Sequence, residues 1–564
     1  ADGDTGRKGK GGFYRLNKTA DGKKTKETLD LKTGQYRAEK TSRLESAEAA
    51  KAGLAALVSH PDIGGQFAKR VLVQTLHYTA SLVPEISDDI LGIDEAMRLG
   101  YNWKYGPFEL IDRLSMKGKA FGSDLLAAAC LEVGLSVPPI VSAASGKTFY
   151  KEEGTQKFYL SFSSSEAEKP SPSGRGLGEG MAAPNAEASA AETALTPCPL
   201  PEGEGAYLPL PTPEGVLKLA DVKRGKQPVS KNGSAALWDL GDGIAGFELT
   251  TKANTFDNDV LSLLQKSVEI VKKDFRGLVI GTDAADFSFG ANLGFFMYVA
   301  NLAAWPMLSG IIKQGHDAFM GLKYAPFPVV TALAGRALGG GCELNLHADA
   351  VQAHTESYPG LVEVGVGIIP GWGGCKEMLW RHLAVASQES LVASDSSSRV
   401  TTHDLRLPAG PMPAISKVFE AIATARVAMS AQEAQDMGIL NALSHITPNR
   451  NRLLADAKQL CLSLSTNYAP PTTHTVRLPG ATGKAALMMA LDGYQASGKA
   501  TPHDRVVGEA LATVLTGGGT DITEETSEQQ LLTLEHDLFM ELVKLKATQA
   551  RIEHMLEFSK PLRN

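Results

Sequence analysis

The chain has 564 residues, 43% of them hydrophobic and 21% charged, the balance of an ordinary globular protein with room for several domains. Its 56 Lys and Arg against 63 Asp and Glu give a net charge of −7, which excludes a broadly cationic nucleic-acid-binding surface. No apolar run reaches the ~18 residues of a transmembrane helix. The five cysteines, Cys130, Cys198, Cys342, Cys375 and Cys461, lack the spacing of a zinc site or a disulfide framework, so reduced cytoplasmic thiols and no metal are expected.

The chain opens ADGDTGRKGKGGFYRL, with neither Met nor an apolar segment, and reads as the middle of a longer protein. Residues 46–160 carry helical periodicity: ESAEAAKAGLAALVS and FAKRVLVQTLHYTASLV repeat apolar residues at i, i+3, i+4 and i+7. Residues 1–160 are therefore expected to form an all-α domain. Residues 161–232 are expected to be a disordered linker, since 162–213 hold nine of the 29 prolines and few large apolar side chains.

Residues 233–450 alternate strand and helix patterns, which predicts a layered α/β domain. ALWDLGDGIAGFEL reads as a hairpin, DVLSLLQKSVEIVKK as an amphipathic helix, and GLVIG and PVVTALAG as buried strands. Residues 451–564 return to helical periodicity, ending in one long helix from SEQQLLTLEHDLF to EHMLEFS.

GRGLGEG at 174–180 has the glycines of a dinucleotide loop but neither the preceding strand nor the following helix. GxxxxGK[ST], HExxH and GxSxG are absent from the sequence. Two other glycine-rich stretches each follow a predicted strand: DFSFGANLG, Asp286 to Gly294, and ALGGGCEL, Ala337 to Leu344. Glycine there lets a ligand approach the backbone, and a glycine run opening a helix presents free N–H groups. Two such loops could together supply an oxyanion hole, although each alone also fits a tight turn. Glu343 lies in the second stretch and Glu363 follows in GLVEVGVGIIPGWGG. Both sit among apolar and glycine neighbours, where a carboxyl tends to hold its proton and can serve as a general acid or base.

FSFGANL, ALGGGCEL and GLVEVGVGIIPGWGG, followed by MSAQEAQDMGIL, resemble the signature stretches of the crotonase (enoyl-CoA hydratase/isomerase) superfamily in order and spacing. The resemblance implies a spiral of ββα units, with Ala291 and Gly340 as oxyanion-hole donors and Glu343 and Glu363 as catalytic acids. It implies substrate contacts at Gly290, Asn292, Leu293, Gly294, Gly339 and Gly341. Asn292 stands where many members have Asp, and Trp372 lies in a loop lined by smaller residues in many members. GIDEAMRLGYNWKYGPFELIDRLS, Gly92 to Ser115, resembles the C-terminal domain of 3-hydroxyacyl-CoA dehydrogenases, and Gly6 to Leu16 resembles the end of a truncated earlier copy.

The whole resembles a bifunctional β-oxidation protein without its Rossmann domain. The expected reaction is reversible hydration of trans-2-enoyl-CoA, with enoyl-CoA isomerisation and a non-catalytic scaffold of a β-oxidation complex as alternatives. No tightly bound cofactor is expected: acyl-CoA enters as substrate, and NAD would need the absent domain. Expected partners are acyl-CoA thioesters and a thiolase or other β-oxidation enzyme, within a homo-oligomer that contacts neither nucleic acid nor a membrane span.

Overall fold

In the computed structural model, residues 12–18, 24–39, 44–116, 118, 120–154, 156–162, 205–393, 410–473 and 475–564 are described. The chain divides into two units, residues 1–211 and 212–564.

The first unit is helical at its centre but is not all-α, which corrects the expectation from sequence. Helices Ile63–Ser81, Ile90–Tyr101, Pro107–Asp112 and Gly122–Glu132 pack around Leu76, Ile90, Phe108, Ile111 and Leu126. Two three-stranded antiparallel sheets accompany them: Tyr14–Lys18, Lys24–Leu29 and Tyr36–Ala38; then Tyr150–Glu153, Gln156–Ser161 and Ala206–Pro209. Strands such as KTKETL and YKEE carry charge at adjacent positions and lack an apolar alternation to read. Asp94 and Asp112 tie the helices to the second sheet. Asp94 accepts from Phe108 N–H (2.8 Å) and the Tyr150 hydroxyl (2.9 Å), and Asp112 from Phe149 and Tyr150 N–H (both 2.7 Å).

The expected linker is also shorter than predicted. Strand Ala206–Pro209 and helix Leu219–Lys223 both lie inside 161–232, and Leu219 and Val222 bury their side chains against a core. YLPL and VLKLADV supply the apolar groups that the proline-rich composition around them obscured. Residues 163–204, with GRGLGEG and Cys198, lie outside the described residues, as do residues 1–11.

The second unit is built on a seven-stranded sheet. Its order is His445–Thr447, Ala350–Gly360, Val329–Leu338, Gly277–Gly281, Ile244–Leu249, Ala235–Asp239 and Ser230–Lys231. The first five strands are parallel and the last two antiparallel. Parallel strands are covered on both faces, so Gly277–Gly281 and Ile244–Leu249 are buried at every position rather than alternately. Leu278 and Ile280 face a core with helices Asn258–Asp274 and Trp305–Lys323, whereas Val279 faces helix Leu453–Ser465.

The residues after 450 do not form a separate region, which corrects that boundary. Helix Leu453–Ser465 covers the sheet, and helices Pro502–Leu515 and Glu528–Val543 bury apolar faces in the same core as the α/β layers. The expected long last helix is two, Glu528–Val543 and Lys546–Phe558, separated at an extended Leu545.

Three consecutive parallel strands end at one edge. Gly277–Gly281 leads to the 286–294 loop, Val329–Leu338 to Gly339, and Ala350–Gly360 to Glu363. Leu338 pairs with Gly360, and Gly339 N–H donates to Gly360 O at 3.0 Å, which brings the second and third connections together. The carboxyl ends of parallel strands are where open α/β sheets form ligand crevices.

Candidate active site

Gly339 turns the chain from strand into helix Gly340–His347, with φ +55° and ψ −124°, a conformation open to glycine and costly for other residues. Gly340 is the first residue of that helix, so its N–H has no intrahelical acceptor. The 286–294 loop approaches from the neighbouring strand. It is held by Ser288 N–H to Arg336 O (3.1 Å), Leu338 N–H to Ser288 O (2.9 Å) and Phe256 N–H to Gly290 O (2.9 Å). Gly290, at φ +76°, packs so closely that an added β-carbon would lie 2.8 Å from Gly340 N. Ala291 and Gly340 thus stand on adjoining loops, and neither N–H has a hydrogen-bond acceptor among the described residues.

Glu343 lies on the first turn of the helix, 2% exposed. Its Oε1 accepts from Trp372 N–H at 2.8 Å and Gly374 N–H at 2.9 Å. Burial pushes its carboxyl up to about 7 against the opposing pull of those two donors. Glu363 opens the short 3-10 turn Glu363–Val366, and both its carboxyl oxygens are buried without a hydrogen-bond partner among the described residues. Burial, and after it the nearby Glu343, raises Glu363 well above the usual carboxylate range. Its Oε1 lies over Gly339, where an added β-carbon would be 3.1 Å away.

The structure therefore brings together Gly290, Ala291, Gly339, Gly340, Glu343 and Glu363. Gly341 is beside them but faces Ser288, where a β-carbon would come within 2.8 Å. Among the described residues no group of three His, Cys, Asp or Glu side chains is arranged to hold a metal ion, and no helix is long and apolar enough to cross a membrane.

Residues 241–396 match the family enoyl-CoA hydratase/isomerase, and residues 65–160 match the 3-hydroxyacyl-CoA dehydrogenase C-terminal domain. The chain joins an enoyl-CoA hydratase/isomerase domain to a 3-hydroxyacyl-CoA dehydrogenase C-terminal domain. A Bacillus subtilis (strain 168) protein described as a probable 3-hydroxyacyl-CoA dehydrogenase is 34% identical over 95% of this chain and 60% of its own length. A Rickettsia felis protein, provisionally described as a fatty acid oxidation complex trifunctional enzyme, is 30% identical over 67% of this chain and 42% of its own length. The chain thus spans 60% or less of these two curated relatives. The crystal structure of an enoyl-CoA hydratase from Bacillus halodurans aligns over 57% of this chain and 99% of its own, with 15% identity and a TM-score of 0.37.

Within the hydratase/isomerase domain, Asn292 is the N-cap of helix Leu293–Asn301, its Oδ1 accepting from Phe295 N–H at 3.1 Å. That oxygen serves the helix. Leu293 packs against the core, and Gly294 is exposed beside Asn292. Trp372 is 3% exposed and fills the space between Gly315, Gly340, Phe256 and Phe319. Its indole nitrogen is buried without a hydrogen-bond partner among the described residues.

One buried acid next to the site escaped the sequence reading. Glu535, fully buried on helix Glu528–Val543, accepts from Gly373 N–H at 2.5 Å and Cys375 N–H at 3.2 Å. The available signal was its i, i+7 spacing from Glu528 on an otherwise apolar helix face. Glu528 belongs to a second buried cluster. Lys376, wholly buried, bonds to Glu528 at 2.8 Å and to Glu377. Lys323 bonds to both acids at 2.6 Å, and the Tyr324 hydroxyl donates to Glu528.

Proposed function

We propose that the hydratase/isomerase domain is an enoyl-CoA hydratase, adding water reversibly to a trans-2-enoyl-CoA to give a 3-hydroxyacyl-CoA in fatty-acid oxidation. The observation that carries this reading is the unequal hydrogen bonding of two buried acids. Glu343 receives two well-formed N–H bonds, whereas Glu363 receives none of that geometry and feels only a weaker pull from its own N–H and that of Val362. Donors stabilise a carboxylate, so Glu343 is the acid that ionises first and Glu363 the one that keeps its proton. One base and one acid are what addition of water across a double bond requires.

In this reading Glu343 takes a proton from water as the water oxygen bonds to C3. The C2–C3 π electrons move into the thioester, and Ala291 and Gly340 N–H groups receive the charge that develops on its oxygen. One such donor is worth about 2.7–4 kcal/mol in other enzymes. Glu363 then gives its proton to C2. The product carries the added H and OH, and a proton passing from Glu343 back to Glu363 resets the pair. Backbone at Gly290, Gly339 and Gly341, with Leu293 and Gly294, shapes the substrate approach. Acyl-CoA is substrate rather than resident cofactor, the compartment is the cytoplasm, and an enzyme of the thiolase class is the expected partner.

The test is turnover of a trans-2-enoyl-CoA by the purified chain. Loss of the conjugated thioester absorbance and a product heavier by one water are expected. Conversion of a 3-enoyl-CoA without hydration would replace the hydratase with an isomerase, in which one carboxyl shuttles the proton. No turnover of either substrate would leave the scaffold reading.

A further inference from the structure

Four consecutive backbone N–H groups, from Trp372 to Cys375, lead into helix Gly374–Ala393 and alternate between two carboxyls. Trp372 and Gly374 donate to Glu343, and Gly373 and Cys375 donate to Glu535. We propose that Glu535 is a positioning residue for the site: by holding Gly373 and Cys375 it fixes the segment whose other two N–H groups orient Glu343. The inference rests on the hydratase reading, because it assigns Glu535 no contact with substrate.

The geometry leaves this segment little alternative support. Gly373 has φ +95°, one of many conformations open to glycine, so the hydrogen bonds on either side select it. All four N–H groups are bonded in buried surroundings, where an N–H without an acceptor is costly. Glu535 arrives from a helix 160 residues further along the chain, so its position is independent of the local turn. Removing it frees two N–H groups to seek other acceptors. Glu343, already bonded to the alternate N–H groups of the same segment, would then lose the framework that orients it.

Glu535 faces charged and titratable groups from several elements: Glu343 and Glu363 of the site, Cys375 and Lys376 of the following helix, and His316, whose Nε2 is 3.9 Å from Oε1. Burial holds His316 neutral, its imidazole lowered to about 4, so that approach is not an ion pair at neutral pH. The backbone N–H groups, with the Cys375 thiol beside them, are then the specific partners of Glu535.

The test uses the full chain with Glu535→Ala, Glu535→Gln, Glu343→Gln and the Glu343→Gln/Glu535→Ala double variant. Glu535→Ala should lower kcat about 10- to 100-fold, as a displaced catalytic group does, and leave KM within about threefold. Glu535→Gln keeps one acceptor oxygen and should fall between Glu535→Ala and the unaltered protein. The double variant should be within about twofold of Glu343→Gln alone, because two residues acting as one unit are not additive. Amide hydrogen exchange across 372–375 should quicken in Glu535→Ala. A folded Glu535→Ala protein with unchanged kcat and unchanged exchange overturns the proposal, as does a full additive loss in the double variant. Absence of hydration by the unaltered chain would instead sink the hydratase reading, and the exchange measurement would still decide whether Glu535 holds the segment. If Glu535→Ala does not fold, Glu535→Gln carries the same comparisons.

Discussion

The carboxyl of Glu363 lies over the α-carbon of Gly339, close enough that a β-carbon there would stand 3.1 Å from Oε1. The φ of +55° at Gly339 adds a second, independent demand for glycine. Gly339→Ala should therefore strain the turn by about 1–3 kcal/mol and displace Glu363. Hydration is expected to drop by about 10²-fold, the effect of misplacing a reacting group. Turnover and thermal unfolding measured on one preparation check this, and a folded, fully active variant would show that the acid does not depend on this approach.

Glu343→Gln and Glu363→Gln should each lower kcat for hydration by about 10²–10⁴-fold. The double variant should be little worse than the poorer single one, since both groups act in one addition, Glu343 on the water and Glu363 on C2. Steady-state kinetics with a trans-2-enoyl-CoA decide it. A fully active Glu343→Gln beside a dead Glu363→Gln would disprove the two-carboxyl mechanism.

Stability should fall with rising pH on the neutral side. Burial holds Glu343 at about 7 and Glu535 at about 8, with Glu363 also raised, against 4.5 for a free glutamate. Between those values the folded chain keeps protons that the unfolded chain has released, so each carboxyl costs up to about 1.4 kcal/mol per pH unit. Glu377 and Glu528 are shifted downward, so their stabilising contribution is complete above the free-glutamate value and is lost only as pH falls below it. Glu363→Gln should raise Tm more at pH 8 than at pH 5 even as it removes activity. Melting curves across that range test the sign; equal shifts at both pH values would contradict a proton held on Glu363.

Lys376 is wholly buried between Glu377 and Glu528. Lys376→Met would leave the two acids with Lys323 and, on Glu528, the Tyr324 hydroxyl, and breaking a buried pair from one side typically costs about 3–5 kcal/mol. A denaturant midpoint unchanged by the substitution would show that Lys323 suffices.

Trp372 should tolerate loss of its nitrogen better than loss of its rings. The buried indole N–H has no partner among the described residues, so Trp372→Phe gives up packing but no hydrogen bond. Trp372→Ala opens a cavity beside Gly340, Phe256 and Phe319 and should cost about 3–5 kcal/mol. Chemical denaturation of both variants is the measurement, and a Phe variant as unstable as the Ala variant would refute the ordering.

The site was legible where its chemistry sits beside its own glycines. Gly290, Gly339, Glu343 and Glu363 could be picked out because each acid or turn lies in a short stretch with little else to do. Glu535 could not, because LLTLEHDLFM is an ordinary amphipathic helix until long-range packing turns that face inward. The break at Leu545 has no Gly or Pro to mark it. The break between helices Leu293–Asn301 and Trp305–Lys323 falls at Ala303, held at φ +50° in a run whose apolar composition reads as continuous. In the first unit, hydrogen bonds from Asp94 and Asp112 join strands to helices, and such joints have no signature in local periodicity.

The opening of helix Gly374–Ala393 faces two ways. Its backbone from 372 to 375 donates to Glu343 and Glu535, and its next two side chains, Lys376 and Glu377, complete the buried ion cluster. An inserted or deleted residue here would turn everything on one side of it by about 100°, the rotation per residue of an α-helix. The amides would lose their acids and the ammonium its carboxylates in the same step. This stretch should therefore accept changes of side chain far more readily than changes of length, and recombination points placed within it should separate a chain that folds from one that does not.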